Sequence, residues 1–522
     1  MIDKIREICI EEATNWLSMK KSGSAWTRNS CKVVIDDKES SAKIFISCDE
    51  KNKGISRICI KFRHTMPEGA RILGDAWERS YGELEWRGIV PDRPMPWYFM
   101  FFDGNKTCGI GVKTGASSFC CWHADQNGYS LTIDTRSGGK GVCLKGRKLT
   151  ACEIVHYEGE EEDSPHQASC KFMKKLCTKA LLPKMTVYGF NDWYYSYGTS
   201  SAKRILDDSE FCSEISENTR NRPFSVIDGG WQFTGVTGGA PWSLSGKKFP
   251  DMKDLASKIK KVGCRPGIWY RPLLTTEDRP WVKLVKGTRF KSHSNPYEIV
   301  LDPTDPENLE RIAGDIRLFR KWGYELIKHD FSTWDVTGSW GFQMGDSITE
   351  DGWSFHDSSK TNAEILKDVY KTVSDAADGA VIIGCNTVGH LITGYAHIQR
   401  IGDDTSGREW ARTRKMGVNT LAFRACQNRS FFALDADCVG ITENIPWRLN
   451  SQWLDLLARS GSPLFVSAKR EIIGAGQKRA LKAAFSRASV QLPTGEPLDW
   501  MDTSCPAKWK LDGETMEFNW TE

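Results

Sequence analysis

The 522-residue sequence has no run of about 18 apolar residues, which excludes a membrane-spanning helix as judged from hydropathy. It has no internal repeat and no low-complexity tract, which excludes solenoids and disordered linkers as its main architecture. It has no excess of charge of one sign. The 71 Lys and Arg are interspersed with 67 Asp and Glu, for a net charge of +4, which argues against nucleic acid or an anionic membrane surface as a partner. The basic stretch KSGSAWTRNSCK (21–32) and the acidic stretch EGEEEDS (158–164) read as solvated loops. Metal-ligand spacing is also missing. The 17 cysteines are scattered, with Cys120-Cys121 the single cluster, so the reading is buried reduced thiols, no metal and no cofactor. The N-terminal MIDKIREICIEEATNWLSMKK lacks the apolar core of a secretory signal, and together with the thiols this predicts a cytoplasmic location.

Tryptophan, by contrast, is abundant, at 21 residues. Indole faces fill cores and also stack on the C–H faces of sugars. From about Ser24 to Lys174 the chain alternates in short runs such as CKVVIDD, AKIFISCD and YSLTIDTRSGG, with turn residues every 8–12 positions or so. That pattern predicts an antiparallel β-sandwich. Near Leu182-Pro183 the rhythm changes to apolar runs alternating with helical stretches. Eight strand-like runs begin at Met185, Phe224, Arg265, Tyr324, Ala380, His397, Val418 and Ser430, which predicts a parallel (β/α)8 barrel. After Trp447 the pattern reads as helix, loop, helix and a terminal hairpin. The expected organisation is a sandwich over 1–183, a barrel over 184–455 and a small β-rich appendage over 456–522.

Several runs end on polar or ionisable residues: Asp228, Arg271, Asp330, Asn386, Asp404 and Asp437. Strand ends at the C-terminal face of a barrel are where such residues meet a ligand. In YELIKHD, Lys328 and Asp330 share a face and His329 takes the other, so His329 is assigned to packing. Cleaving a glycosidic bond needs two carboxyl groups, one acting as acid and one as nucleophile or base. Asp330 and one of the adjacent Asp403 and Asp404 are the candidates, since neighbouring strand residues point oppositely. Lys328 is expected to keep Asp330 ionised, and burial or a neighbouring carboxylate to raise the acid. Asp435 and Asp437 stand evenly between substrate contact and rim structure.

The ordered set GFNDW, VIDGGWQ, IKHD and RIGDD, with FPDMKDLASKIKKVGCRPGIWYRP, LDPTDPENLERI and DADC, resembles the retaining α-galactosidases and raffinose-synthase-like proteins of the melibiase clan. The likeness spans most of residues 184–450. It implies Asp330 as nucleophile and Asp404 as acid/base with Arg400 as its partner. It also implies a sugar site formed by Lys328, Asp228, Trp193 and Trp231, with Asp403 beside it and Cys385 as a wall residue. The family's second Asp after strand two is Gly229 here, which leaves the sugar open: a galactoside, an α-N-acetylgalactosaminide, a β-L-arabinopyranoside or an α-glucoside. The partner implied is an oligosaccharide or glycoside, and self-association is left open. Galactosyl transfer and a catalytically silent sugar-binding barrel are the alternatives to hydrolysis. The loops Leu273–Val300 and Val336–Lys360 are expected to shape the leaving-group side.

Overall fold

The computed structural model describes residues 4–177, 179–236, 238–285 and 299–522. In the N-terminal part the alternating runs form strands that bury every second side chain, as in Cys31–Asp37 and Ser41–Cys48. They assemble into antiparallel sheets of eight and six strands, whose apolar faces join one continuous core. The basic stretch expected to be loop is instead strand: Lys20–Ser22 and Ala25–Arg28 pair in a hairpin that continues into Cys31–Asp37. Its charged side chains face water from a strand whose other face is buried, a pattern that charge alone does not show.

The helix Pro165–Leu176 lies on the eight-stranded sheet. Ser164 and Gln167 form its capping box, and Phe172 is fully buried. Glycine in the underlying strand makes room for it, because a Cβ on Gly109 would come within 2.5 Å of the Phe172 ring. The other side of this helix meets the residues that follow the sixth parallel strand (helix contacts at Ala425–Gln427).

The second part is a parallel sheet. Its strands run Tyr188–Asn191, Phe224–Ile227, Arg265–Tyr270, Leu326–His329, Val381–Gly384, Ile398–Arg400, Ala433–Asp435 with Cys438–Ile441, and Leu464–Ala468. Each pairs with its neighbour in that order, and Leu464–Ala468 pairs back onto Tyr188–Asn191. The ladder is assigned nine members because the seventh strand is interrupted at Ala436-Asp437, where Asp437 has φ 73°. Its first half pairs with strand six and its second half with strand eight, so the ladder returns to its start. Helices follow the strands, among them Ala202–Ile215, Met252–Lys261, Pro306–Trp322, Asn362–Ala376 and Ala475–Ala488. Asp251 caps Met252–Lys261 through the Asp254 amide, 2.9 Å away.

Two expectations are corrected here. The run VNTLAFRA is not a strand; it lies in a helical segment from Trp410 to Gln427. Every residue from Met416 to Gln427 is buried, and an apolar run buried all round carries no period that separates helix from strand. The eighth strand is Leu464–Ala468, so the expected boundary at 455 falls inside the helix Trp447–Arg459. The terminal hairpin is present as Lys508–Leu511 and Glu514–Glu517, with Glu496–Pro497 as a third strand.

A segment of the sandwich, Asp75–Tyr81, crosses to the C-terminal face of the parallel sheet. The Ser80 amide donates to the Ile401 carbonyl at 2.8 Å, and the Asp403 amide donates to the Ser80 carbonyl at 2.9 Å. Arg424 fastens the segment from below through Asp75 (2.8 Å) and the Glu78 carbonyl (2.7 Å). No helix among the described residues is long and apolar enough to cross a membrane. All 17 cysteines are free.

Candidate active site

At the C-terminal ends of the parallel strands lies a cavity of about 330 Å³. It is lined by Asp228, Lys328, Asp330, Asp403, Asp404 and Arg79, and by the aromatic side chains Trp193, Trp269, Trp340 and Phe342 among others. Asp330 and Asp404, 74 positions apart in the chain, therefore share one cavity.

The chain just beyond strand four aims Asp330. Phe331, next in the chain, has φ 63°, a left-handed conformation that turns the chain sharply after the carboxylate. Asp330 Oδ1 accepts hydrogen bonds from the amides of Phe331 (2.8 Å) and Asn386 (3.0 Å), and Oδ2 accepts one from Trp269 Nε1 (2.9 Å). Lys328, on the same face as Asp330, places its Nζ on Asp228 Oδ2 at 2.6 Å. Burial opposes the charge of Lys328, yet the Asp228 carboxylate holds its pKa well above the usual value. The apolar run thus ends on a buried pair, and removing either partner of such a pair costs about 3–5 kcal/mol. His329 points outward, buried against Tyr370.

Asp228 also accepts from Asn191 Nδ2 (2.7 Å), and its own amide donates to Asp192 Oδ1 (2.8 Å). Burial, reinforced by the Asp228 charge, pushes Asp192 up from 3.8 to about 7. Between those limits the folded chain holds a proton that the unfolded chain has released. The stabilisation is therefore complete below the lower value and is lost as pH rises through about 7. In Asp192→Asn this loss should disappear. Urea titrations from pH 4 to 7 should then show a slope of stability against pH more positive than wild type by up to ~1.4 kcal/mol per unit. Parallel slopes would place the titration elsewhere.

Asp404 sits among cations. Arg400 Nη2 donates to Asp404 Oδ1 at 2.8 Å, and Arg79 Nη1 lies 3.8 Å from the same oxygen. Burial raises its pKa, but Arg400, Arg79 and Lys328 outweigh that, so the carboxyl is held below its ordinary value. The expectation of a raised acid is thus corrected. The expectation that only one of the adjacent pair reaches the site is corrected too, because strand six ends at Arg400 and both Asp403 and Asp404 lie on the loop beyond it. Asp403 is held by Arg79 (3.2 Å) and Arg412 (2.6 Å).

Arg400 is buried beneath the cavity floor, joining Asp404 to Asp437. A single Asp437 oxygen also accepts from Tyr194 Oη, the Thr405 amide (2.7 Å) and Thr405 Oγ1 (2.9 Å). Asp437 is therefore a support for Arg400, and Asp435 caps the Asp437 amide at 2.9 Å. Cys385 is buried, with its Sγ 3.9 Å from Arg400 Nη1 and its thiol pushed well up by burial and then by Asp330. It lies under the wall without lining the cavity. Trp231 is a correction. It is fully buried, donates Nε1–H to the Trp269 carbonyl at 3.0 Å and packs against Trp242, Phe319 and Trp322, outside the cavity. Gly229 lines the cavity, where an added Cβ would meet the Trp269 ring at an ordinary 3.6 Å.

Sequence reasoning missed the sandwich's contribution. Glu78 is buried, and its carboxylate accepts from Asn386 Nδ2, Tyr81 Oη and the Gly341 amide (3.0 Å). Arg79 stands 5.4 Å over the Trp340 ring. Trp269 was legible: it shares parity with Arg271 on strand three, so the alternation that placed Lys328 also places it inward. Of the two loops expected at the leaving-group side, Val336–Lys360 supplies Trp340 and Phe342. Residues 286–298 of the other loop lie outside the described residues.

No protein-family model matches the chain, and no curated protein matches it in sequence. Solved structures match it in fold. TtGalA, an α-galactosidase from Thermus thermophilus in complex with p-nitrophenyl α-D-galactopyranoside, is 15% identical, with 95% of this chain and 99% of that chain covered and a TM-score of 0.63. The GH36 α-galactosidase AgaA from Geobacillus stearothermophilus is 12% identical, with 92% and 71% covered and a TM-score of 0.62. AgaB from the same organism is 12% identical, with 89% and 68% covered and a TM-score of 0.60. Across nearly its whole length, then, this chain is built on the fold of the GH36 α-galactosidases.

Proposed function

We propose that the chain is a retaining glycoside hydrolase that cleaves α-glycosides of the α-galactoside type through a covalent glycosyl-enzyme. The observation that carries this reading is the pair of carboxylates in one cavity with opposed surroundings. Asp330 is fixed by three N–H donors, whereas Asp404 is 40% exposed and rests on Arg400. Asp330 Oδ2, with one donor against two on Oδ1, keeps the freer lone pair and attacks the anomeric carbon. Asp404 protonates the departing oxygen and then takes the proton of the incoming water. Against burial, Arg400 and Arg79 hold the Asp404 carboxyl below its ordinary value, and the basic form suits the second step. A bound sugar removes water from its exposed face, and desolvation favours the protonated form that the first step needs. Asp228 and Lys328 bind ring hydroxyls, and Trp193 and Trp269 wall the ring. TtGalA, similar in fold, is also seen with stachyose, which fits a leaving group that is itself a sugar.

Gly229 leaves open space where a side chain would be accepted, so the wall reads that position of the sugar loosely. The decisive assay is a panel of p-nitrophenyl α-galactoside, α-N-acetylgalactosaminide, α-glucoside and β-L-arabinopyranoside, with the first-formed sugar followed by proton NMR. Release from at least one substrate with the starting anomeric configuration is expected. Inversion of configuration, or no release from any substrate, sinks the reading.

A further inference from the structure

Outside the cavity, one group of donor atoms has no role in the chemistry above. The strand Phe119–Asp125 of the six-stranded sheet directs Trp122 into the sandwich core, where its Nε1 donates to the Trp97 carbonyl at 3.0 Å. By alternation Cys121 and His123 lie on the opposite face. Onto that face comes the loop after the fourth parallel strand, which places Asp346 beside them. The donor atoms of Cys121, His123 and Asp346 all lie within 4.8 Å of one another, and His123 Nε2 is 3.1 Å from Asp346 Oδ1. Among the described residues this is the only such trio of potential metal ligands. We propose that Cys121, His123 and Asp346 bind a borderline-soft divalent cation of the Zn2+ class, which clamps the cavity-wall loop to the sandwich.

Three observations support the site. The donor set is sulfur, nitrogen and oxygen, which suits Zn2+ and not Ca2+ or Mg2+. Bonds of 2.0–2.3 Å to a tetrahedral ion put donor atoms roughly 3.3–3.8 Å apart, so sub-ångström to ångström side-chain shifts from the present arrangement would close the shell. Second, Asp346 is held from both sides. Trp77 Nε1 donates to the Gly345 carbonyl (2.9 Å), and Arg57 and Arg136 donate to Ser347 Oγ (3.1 and 2.9 Å). Arg57, a cation that would oppose the ion, is itself engaged by Glu11 at 2.8 Å. Third, burial is graded. Cys121 is buried, His123 is partly buried and the Asp346 side chain is 60% exposed, which leaves a solvent side for entry and for a water as fourth ligand.

Binding is balanced as loss of the Cys121 thiol proton to solvent and formation of a sulfur–metal bond, with no change of oxidation state. The bound ion would tie Asp346, four residues from the cavity-wall Phe342, to a core strand. His123 Nε2 and Asp346 Oδ1 also meet at 3.1 Å without a metal, and the test separates that contact from a metal site.

The full chain, stripped with a chelator, is titrated with Zn2+ and with Co2+. One ion per chain is expected, with a sulfur-to-cobalt charge-transfer absorption. Cys121→Ser should abolish that absorption, and Asp346→Asn should weaken Zn2+ binding at least ~10-fold. Cys143→Ser, a half-exposed thiol elsewhere on the sandwich, should change neither. Asp346→Asn lies on the surface, so it keeps the test readable if Cys121→Ser fails to fold. Absence of stoichiometric binding, or binding unchanged in both variants, overturns the site. Limited proteolysis of residues 338–360 should slow when Zn2+ is added; equal rates with the ion bound overturn the clamp.

Discussion

Asp330→Ala should lower kcat on the best substrate of the panel by on the order of 10^4-fold or more, the scale expected when a covalent nucleophile is removed. Three N–H groups would lose their acceptor in this variant, namely Trp269 Nε1 and the amides of Phe331 and Asn386. They lie beside the cavity, where water can take the place of the lost carboxylate, so the fold should survive, and thermal melting serves as the control. The space left by the carboxylate also makes a sharper test available. A small anion such as azide can enter it and attack the anomeric carbon in one displacement, giving a β-glycosyl azide from an α-glycoside. Rescue with inverted configuration assigns Asp330 as the nucleophile, because azide standing in for a missing acid/base would attack the glycosyl-enzyme and give the α-azide, with configuration retained. A variant that retains a tenth of wild-type kcat would remove Asp330 from the chemistry.

Asp404→Ala is expected to discriminate among leaving groups. A p-nitrophenolate leaves without help, so its glycosylation step should slow by about tenfold or less. A sugar alkoxide needs a proton in the transition state, so an oligosaccharide substrate should lose about 10^2–10^4-fold. Comparing kcat/KM for the two substrates gives the readout. A uniform loss on both would show that Asp404 only binds substrate, and would point to Asp403 as the acid. Asp403 is held by two guanidinium partners, Arg79 and Arg412, so Asp403→Ala on the same pair of substrates completes the comparison.

The catalytic half of this arrangement could be read from the chain because it obeys short-range rules. Lys328 and Asp330 lie two apart at the end of an apolar run, and Arg400 and Asp404 bracket the end of another. Alternation puts Lys328 and Asp330 on one face and the placement of function at strand ends brings both runs to one rim, whereas Asp404 with Arg400 is singled out by the family resemblance. Where the reading failed, no local rule applied. The segment 416–427 is buried on all sides, so helix and strand predict the same composition. The eighth strand is five residues between Gly461-Ser462-Pro463 and Lys469, short enough to pass for a loop. Trp231 follows an inward carboxylate by three residues, yet the turn at Gly230 (φ 113°) swings it into the outer layer. Glu78 and Arg79 lie in an irregular stretch with no period. Their partners are fixed only by how two sheets dock, which pairwise patterns along one chain do not encode.

That docking has a temporal side. The hydrogen bond from Asn386 to Glu78 joins residues 308 positions apart, and Arg79 meets a carboxylate made more than 300 positions later. During synthesis the sandwich leaves the ribosome first, while its segment 75–81 waits without a surface to settle on. The cavity gains its last wall only after strand six and the helical segment behind it have formed and Arg424 has closed on Asp75 and Glu78. Activity would therefore mature late, as a report that both halves of the chain have reached their final arrangement. A nascent fragment ending before residue 400 would be catalytically mute.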